Sequence, residues 1–357
     1  MKSQPFTLPS MSDGCSRILT AGGTALLMLV ALTASQATAA NTSGTLWYTT
    51  YNGGQNIHKV DYTWSSNVLS LSANTAIGPG VNGADGILFL PNGNLAIGGQ
   101  GRRVHEVDPA GNLVTTLTVP TDSYHLSLSP GGKVLYSASI PGQPTAITLN
   151  GSGGLTGASA VALPVAGTQT SLDTIAWASG GPNQGKALYT SSSSGGNGVV
   201  GTITIAGGPE SPTSATTSGP VALPASHGLV YDPFSDSFIT MGDDEISRFS
   251  SAGVLLETLG FAGQGVNFDQ GTVDGLGHIF AADNNGRLYL VDYSGGTFAG
   301  ATSDSAFLAN FLDDIAPKVG SGSNPPPTVP ETGGTLWLMG CGFGLVFAGR
   351  RWALKRR

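Results

Sequence analysis

Asp85-Gly86-Ile87-Leu88-Phe89-Leu90-Pro91-Asn92-Gly93-Asn94-Leu95-Ala96-Ile97-Gly98-Gly99 is the stretch that decides the fold. An apolar run, a Pro-Asn-Gly break and a second apolar run predict two short antiparallel strands, Asn-Gly being the strongest short hairpin signal. Beyond it, Val104-His105-Glu106-Val107-Asp108 alternates, Pro109-Ala110-Gly111-Asn112 turns, and residues 113–119 make a fourth strand. Four short antiparallel strands in about forty residues have the size of one propeller blade.

The same grammar recurs with different letters. His125-Leu126-Ser127-Leu128 opens a second unit, Asp173-Thr174-Ile175-Ala176-Trp177 a third, His227-Gly228-Leu229-Val230-Tyr231 a fourth and Asp269-Gln270-Gly271-Thr272-Val273 a fifth. Openers at 85, 125, 173, 227 and 269 are spaced by 40, 48, 54 and 42 residues, and loop insertions explain the spread. The two ends supply the sixth unit. Residues 45–49, 57–61 and 68–71 read as the second to fourth strands of a blade without a first, and Leu312-Asp313-Asp314-Ile315-Ala316-Pro317 matches the opener with nothing after it. A blade split between the termini closes the ring and removes exposed edges. The expected fold is therefore all-β: a six-bladed β-propeller over 41–318, closed by pairing of its N- and C-terminal strands. A pair of β-sandwiches or a β-solenoid is the rival.

This repeat grammar, over about 275 residues (44–318), resembles the superfamily that includes NHL-repeat and gluconolactonase-type propellers. The resemblance implies fold and not activity.

Composition agrees with a turn-rich β protein. Charged residues are only 10% of the chain, against about 25% in ordinary domains, and Gly supplies 54 of 357 residues. The formal charge of −7 argues against nucleic acid as a partner, since phosphate calls for a basic surface.

Both ends read as addresses. Lys2 and Arg17, the apolar run Ala25-Leu26-Leu27-Met28-Leu29-Val30-Ala31-Leu32 and the small residues Ala37-Thr38-Ala39-Ala40 follow the order of a signal peptide, so 1–40 is expected to be removed by signal peptidase. A Gly/Ser/Pro-rich linker is expected over 319–328. From 329 to 357 come Val329-Pro330-Glu331-Thr332-Gly333, a fifteen-residue apolar stretch from Thr335 to Gly349, and the basic end Arg350, Arg351, Lys355, Arg356 and Arg357. This tail resembles the exosortase sorting signals of the PEP-CTERM group, above all the VPDSG-CTERM variant. Glu331 and Thr332 stand where that variant has Asp and Ser, which also brings the motif near the sortase signal LPxTG. The implied partner is an exosortase-like or sortase-like transpeptidase, and the implied location is the envelope or the cell exterior after transient anchoring by the tail.

The only cysteines, Cys15 and Cys341, fall in these end segments, so the domain between has no disulfide, thiolate metal site or cysteine nucleophile. Taking away the end segments leaves 15 − 7 = 8 basic and 22 − 2 = 20 acidic residues in 41–330, a balance of −12.

Catalytic signatures are missing: no G-x-S-x-G elbow, no phosphate loop, no second His completing a zinc pair after His105-Glu106. Asp283-Asn284-Asn285-Gly286 reads as a hairpin turn rather than a calcium loop, and Asp243-Asp244-Glu245 as a solvated turn. One constellation stands out because the repeat places it. The residues opening the innermost strands are Asp85, His125, Asp173, His227, Asp269 and Asp313, with Asp314 beside the last. Innermost strands line the channel of a propeller, so these positions are expected near one mouth of it. Four carboxylates and two imidazoles there suit one divalent cation: calcium on carboxylates alone, zinc or manganese where histidine takes part. With imidazole as ligand, affinity is expected to fall as pH drops through about 6.5, and otherwise only nearer 4. Gluconolactonase-type propellers carry a metal at the channel mouth, although their Glu and Asn ligands are not evident here. The alternative is that these polar residues bond channel water and strand-end amides.

The leading functional expectation is an exported, surface-sorted binding or envelope/matrix structural module for an unknown surface ligand, leaning away from an enzyme. The other is a metal-dependent, lactonase-like hydrolase or lyase working at the channel mouth.

Overall fold

The computed structural model describes residues 41–317 apart from 53, 139–141, 193–196 and 225. The predicted leader (1–40), linker (319–328) and sorting signal (329–357) lie outside the described residues.

The hairpin that opens the reading runs from Ala84–Phe89 into Leu95–Gly99. Gly93 carries the turn at φ +87°, a left-handed value that a residue without Cβ adopts at no steric cost. The Leu90 amide donates to the Asn94 carbonyl at 2.7 Å and that of Gly93 to Leu90 at 2.9 Å, which closes the loop. Arg103–Val107 and Leu113–Thr118 complete the blade. All six residues of its innermost strand are buried, whereas its outermost strand is largely exposed. The gradient follows from position: an inner strand is covered on both faces by neighbouring blades and needs a continuous apolar run, and an outer one meets water and tolerates Thr.

Six such sheets form the ring. Going round from the first complete blade, the innermost strands are Ala84–Phe89, Leu126–Leu128, Thr174–Trp177, Ser226–Asp232, Phe268–Val273 and Leu312–Pro317, each lying against the next and the last against the first. Leu312–Pro317 belongs to the split blade. It pairs antiparallel with Thr42–Thr50, placing Trp47 opposite Ala316, Tyr48 opposite Ile315 and Thr50 opposite Leu312. Ile57–Ser65 and Val68–Ala76 finish that blade. The expected six-bladed closure is what the chain forms.

The blade opened by Thr174–Trp177 departs from expectation. Its strands Ala187–Ser192 and Ser214–Pro224 carry no clear sequence signal, and Asn197–Ala206 runs to ten residues. A bulge opposite Gly219 (φ +60°) and Pro220 lets the long pair continue past a residue that cannot donate to the ladder. Val165–Gly167, in the connection from the preceding blade, adds a fifth, parallel strand outside it.

Six apolar clusters sit one at each blade-to-blade interface among the described residues. The closing interface joins Phe280, Leu288 and Leu290 of the last complete blade to Leu46, Trp64, Leu312 and Ile315 of the split one. Carboxylates tie neighbours from outside these cores. Glu106 accepts from Asn92 and Asn94 of its own blade and from the Leu155 amide of the next, and the Trp64 indole donates to Asp292 across the closing interface. Among the described residues the helical content is one turn, Phe298–Gly300, and no helix is long and apolar enough to cross a membrane.

Candidate functional site

Five of the six predicted openers, Asp85, His125, His227, Asp269 and Asp313, line one cavity of about 460 Å³ where the innermost strands begin. Tyr51, Gln100, Tyr124 and Asn284 complete its walls. Asp173 does not line it: the side chain is fully buried and one oxygen accepts a hydrogen bond from the Ser192 amide, while Oδ1 has no hydrogen-bond partner and the carboxylate interacts with His125 and His227. Asp283-Asn284-Asn285-Gly286 is a hairpin turn as expected, with the Gly286 amide on the Asp283 carbonyl at 2.7 Å. At Asp243-Asp244, the Asp244 carboxylate accepts from the Val266 amide in an ordinary turn.

His125 is the centre of the cluster. Its ring is 4% exposed, with Nδ1 3.5 Å from an Asp314 oxygen and Nε2 3.8 Å from Asp269 Oδ1. His227 Nδ1 lies 3.9 Å from the same Asp269 oxygen. Two three-residue sets therefore share His125: an outer one of His125, His227 and Asp269, and an inner, fully buried one of Asp85, His125 and Asp314. The ligand atoms of each set lie within 4.8 Å of one another, leaving room for one ion. Both sets contain imidazole, and two imidazoles with one carboxylate facing open space favour zinc, manganese or ferrous iron over calcium.

Buried polar atoms also point to a cation. Asp313 Oδ2 and Asp314 Oδ1 are enclosed without a hydrogen-bond partner of their own, although the Asp313 carboxyl also interacts with Asp269 and that of Asp314 with the Ile87 amide. An uncompensated buried carboxylate oxygen is costly, so such atoms call for a proton, a water or a metal. Asp85 is partly satisfied, accepting from Gln100 Nε2 at 3.0 Å.

Burial and crowding govern the charges. Burial, with the nearby carboxylates of Asp314 and Asp269, pushes Asp85 up to about 7 against the pull of His125 and Gln100. Burial also raises Asp173, Asp313 and Asp314, and in Asp313 the carboxylates of Asp85, Asp269 and Asp314 add to it. Burial alone would lower His125, but Asp314, Asp269 and Asp85 outweigh it and hold the imidazole up at about 10. The cluster thus retains protons at neutral pH, where the unperturbed histidine value of about 6.5 would have released one. A cation binding here displaces a proton throughout the neutral range, which moves the expected pH window upward.

Asp314 was visible beside Asp313, but which of the two faces His125 depends on the roll of the strand. Tyr51, Gln100 and Asn284 share a rule that would have found them: each follows the second strand of its blade, in the loop that returns to the channel mouth.

No protein-family model matches the chain, and no curated protein matches it in sequence. Among solved structures it is similar to a Kuenenia stuttgartiensis hydrazine synthase chain, at 12% identity over 69% of this chain and 75% of that one, with a TM-score of 0.45. It is also similar to streptogramin B lyase, at 14% identity over 64% and 70% of the two chains, with a TM-score of 0.43.

Proposed function

We propose that this chain is an exported, surface-sorted propeller that binds a small ligand at its channel mouth through a divalent cation. The observation that carries this reading is the pair of ligand sets sharing His125, beside one buried oxygen each of Asp313 and Asp314 that lacks its own hydrogen bond. Within the cluster, His125, His227 and Asp269 would hold the ion toward the cavity, and Asp85 and Asp314 would orient and neutralise the imidazole. The ion would supply a positive centre for oxygen groups of a ligand in an otherwise acidic pocket.

The test uses the chelated and the cation-loaded protein. His125 bears a raised value, so the stability its imidazolium contributes is complete below about 6.5 and lost as pH rises through about 10. Asp85 is raised as well, so the folded state holds a proton that the unfolded one gives up near 4, and stability falls as pH climbs from about 4 to about 7. Both terms have the same sign. Melting of the chelated protein is therefore expected to fall from pH 5 to pH 9, and Mn²⁺ or Zn²⁺ to raise it by an increment that grows with pH. Calorimetric scans showing no cation-dependent increment at any pH would refute the site.

Export and sorting rest on the leader at 1–40 and the motif Val329–Pro330–Glu331–Thr332–Gly333. Mass spectrometry of native material is expected to find an N-terminus at Ala40 or Asn41 and loss of the segment beyond the Val329–Gly334 motif. Peptides containing Cys341 in the surface form would contradict it.

A hydrolase or lyase is the second reading, favoured by Asp85: a carboxyl poised at about 7 on the wall of a cavity is suited to general acid or base work. Its mark would be turnover of lactones or polysaccharides that is lost on chelation.

A further inference from the structure

We infer that the ligand of the channel mouth is a neutral oligosaccharide, which runs from the mouth over Tyr51 and Phe311 into an adjoining cleft between the split blade and the first complete one. The inference rests on the mouth being the ligand site and names the class of ligand it takes.

A second cavity of about 440 Å³ adjoins the mouth and shares Tyr51 with it. Its walls come from Tyr51, Asn52, Gly54 and Asn56 on one side and from 79–83 on the other. On the mouth side, the Gln100 amide donates to the Gly83 carbonyl at 3.1 Å while the Gln100 side chain reaches Asp85, so one residue joins the two spaces. Asn56 pins the opposite walls together, its side chain donating to the Val81 carbonyl at 2.6 Å and accepting the Val81 amide at 2.9 Å. Asn52 and Asn82 add two more amides, and among the described residues no charged side chain lines this cleft.

Tyr51 stands where the two cavities meet, and Phe311 packs against it. Tyr51 is 43% and Phe311 45% exposed, with ring centroids 5.1 Å apart at 71°. The Tyr51 amide donates to the Phe311 carbonyl at 3.2 Å, and Phe311 sits at φ +61°, a left-handed conformation that a bulky residue rarely holds. A strained backbone presenting an exposed ring beside a cavity is the kind of outlier found at ligand clamps.

These parts fit one chemistry. A sugar ring offers an apolar C–H face to an aromatic side chain and a rim of hydroxyls to amides and carbonyls. The cleft has no charge to pair with either sign, and at the mouth the cation would already sit among carboxylates, so neither space calls for a charged ligand. A neutral, hydroxyl-rich chain suits both spaces, with hydroxyls near the cation site and ring faces on Tyr51 and Phe311.

The test is calorimetric titration of cellohexaose, maltohexaose, xylohexaose and chitohexaose into the full-length chain with Mn²⁺ present. It is repeated with Tyr51→Ala and Phe311→Gly. Glycine accepts the left-handed φ, so Phe311→Gly removes the ring while easing the backbone. At least one hexasaccharide is expected to bind, about tenfold more weakly in either variant, with Mn²⁺ affinity unchanged in Phe311→Gly, whose ring is outside the cation cavity. No binding by any of the four, or binding unaffected by both substitutions, while Mn²⁺ still binds, would overturn the inference and leave the cation site standing. Sugar binding with these losses in a protein that takes up no Mn²⁺ would uphold the cleft and remove the cation.

Discussion

Ending the chain at Phe311 is expected to destroy cooperative folding. The strand removed, Leu312–Pro317, is the innermost strand of the split blade, and Leu312, Ile315 and Ala316 are at most 1% exposed. Burying each of the two larger side chains contributes about 1.5–3 kcal/mol. The truncation also uncovers Leu46, Trp47 and Tyr48 and leaves Thr42–Thr50 as an open edge. Against a total stability of about 5–15 kcal/mol these losses are decisive. Size-exclusion chromatography should show aggregate, and calorimetry should show no sharp melting transition. Ile315→Ala, which keeps the strand, should cost about 2–5 kcal/mol and leave a monomer that melts lower. A monomer ended at Phe311 with an unchanged melting temperature would contradict the closure.

Closure was legible because its signals are local and repeated. Pro-Asn-Gly at 91–93 marks a tight turn wherever the fold is read from, and an opener such as Leu312-Asp313-Asp314-Ile315 stands out once five others precede it. Outer strands were harder. Ser214–Pro224 is rich in Ser, Thr, Gly and Pro because one face meets water, so it has the composition of a loop. Val165–Gly167 pairs only through the accident of a linker passing a blade edge, and three residues hold no pattern. At the site, the repeat brought Asp85, His125, His227, Asp269 and Asp313 to one cavity but could not say that Asp173 is drawn to the Ser192 turn. Nor could it show that His125 lies between two carboxylates, since Asp314 and Asp269 reach it from different blades.

His125→Ala is expected to weaken cation binding at the channel mouth at least a hundredfold. It deletes the one residue common to both ligand sets, whereas His227→Ala, 37% exposed and part of the outer set alone, should cost about tenfold. Removing the imidazolium also leaves Asp85, Asp269 and Asp314 facing one another without a counter-charge. That change should lower melting more at pH 5, where the imidazolium's contribution is complete, than at pH 8, where part of it is already lost. The decisive measurement is calorimetric titration of Zn²⁺, Mn²⁺ and Ca²⁺ into the chelator-treated full-length chain, its His125→Ala variant and its His227→Ala variant, each first shown to melt cooperatively. One equivalent of Zn²⁺ or Mn²⁺ bound by the unaltered chain, with the graded losses above, is the predicted result. The absence of binding heat for all three ions, or an affinity unchanged by His125→Ala, would contradict it.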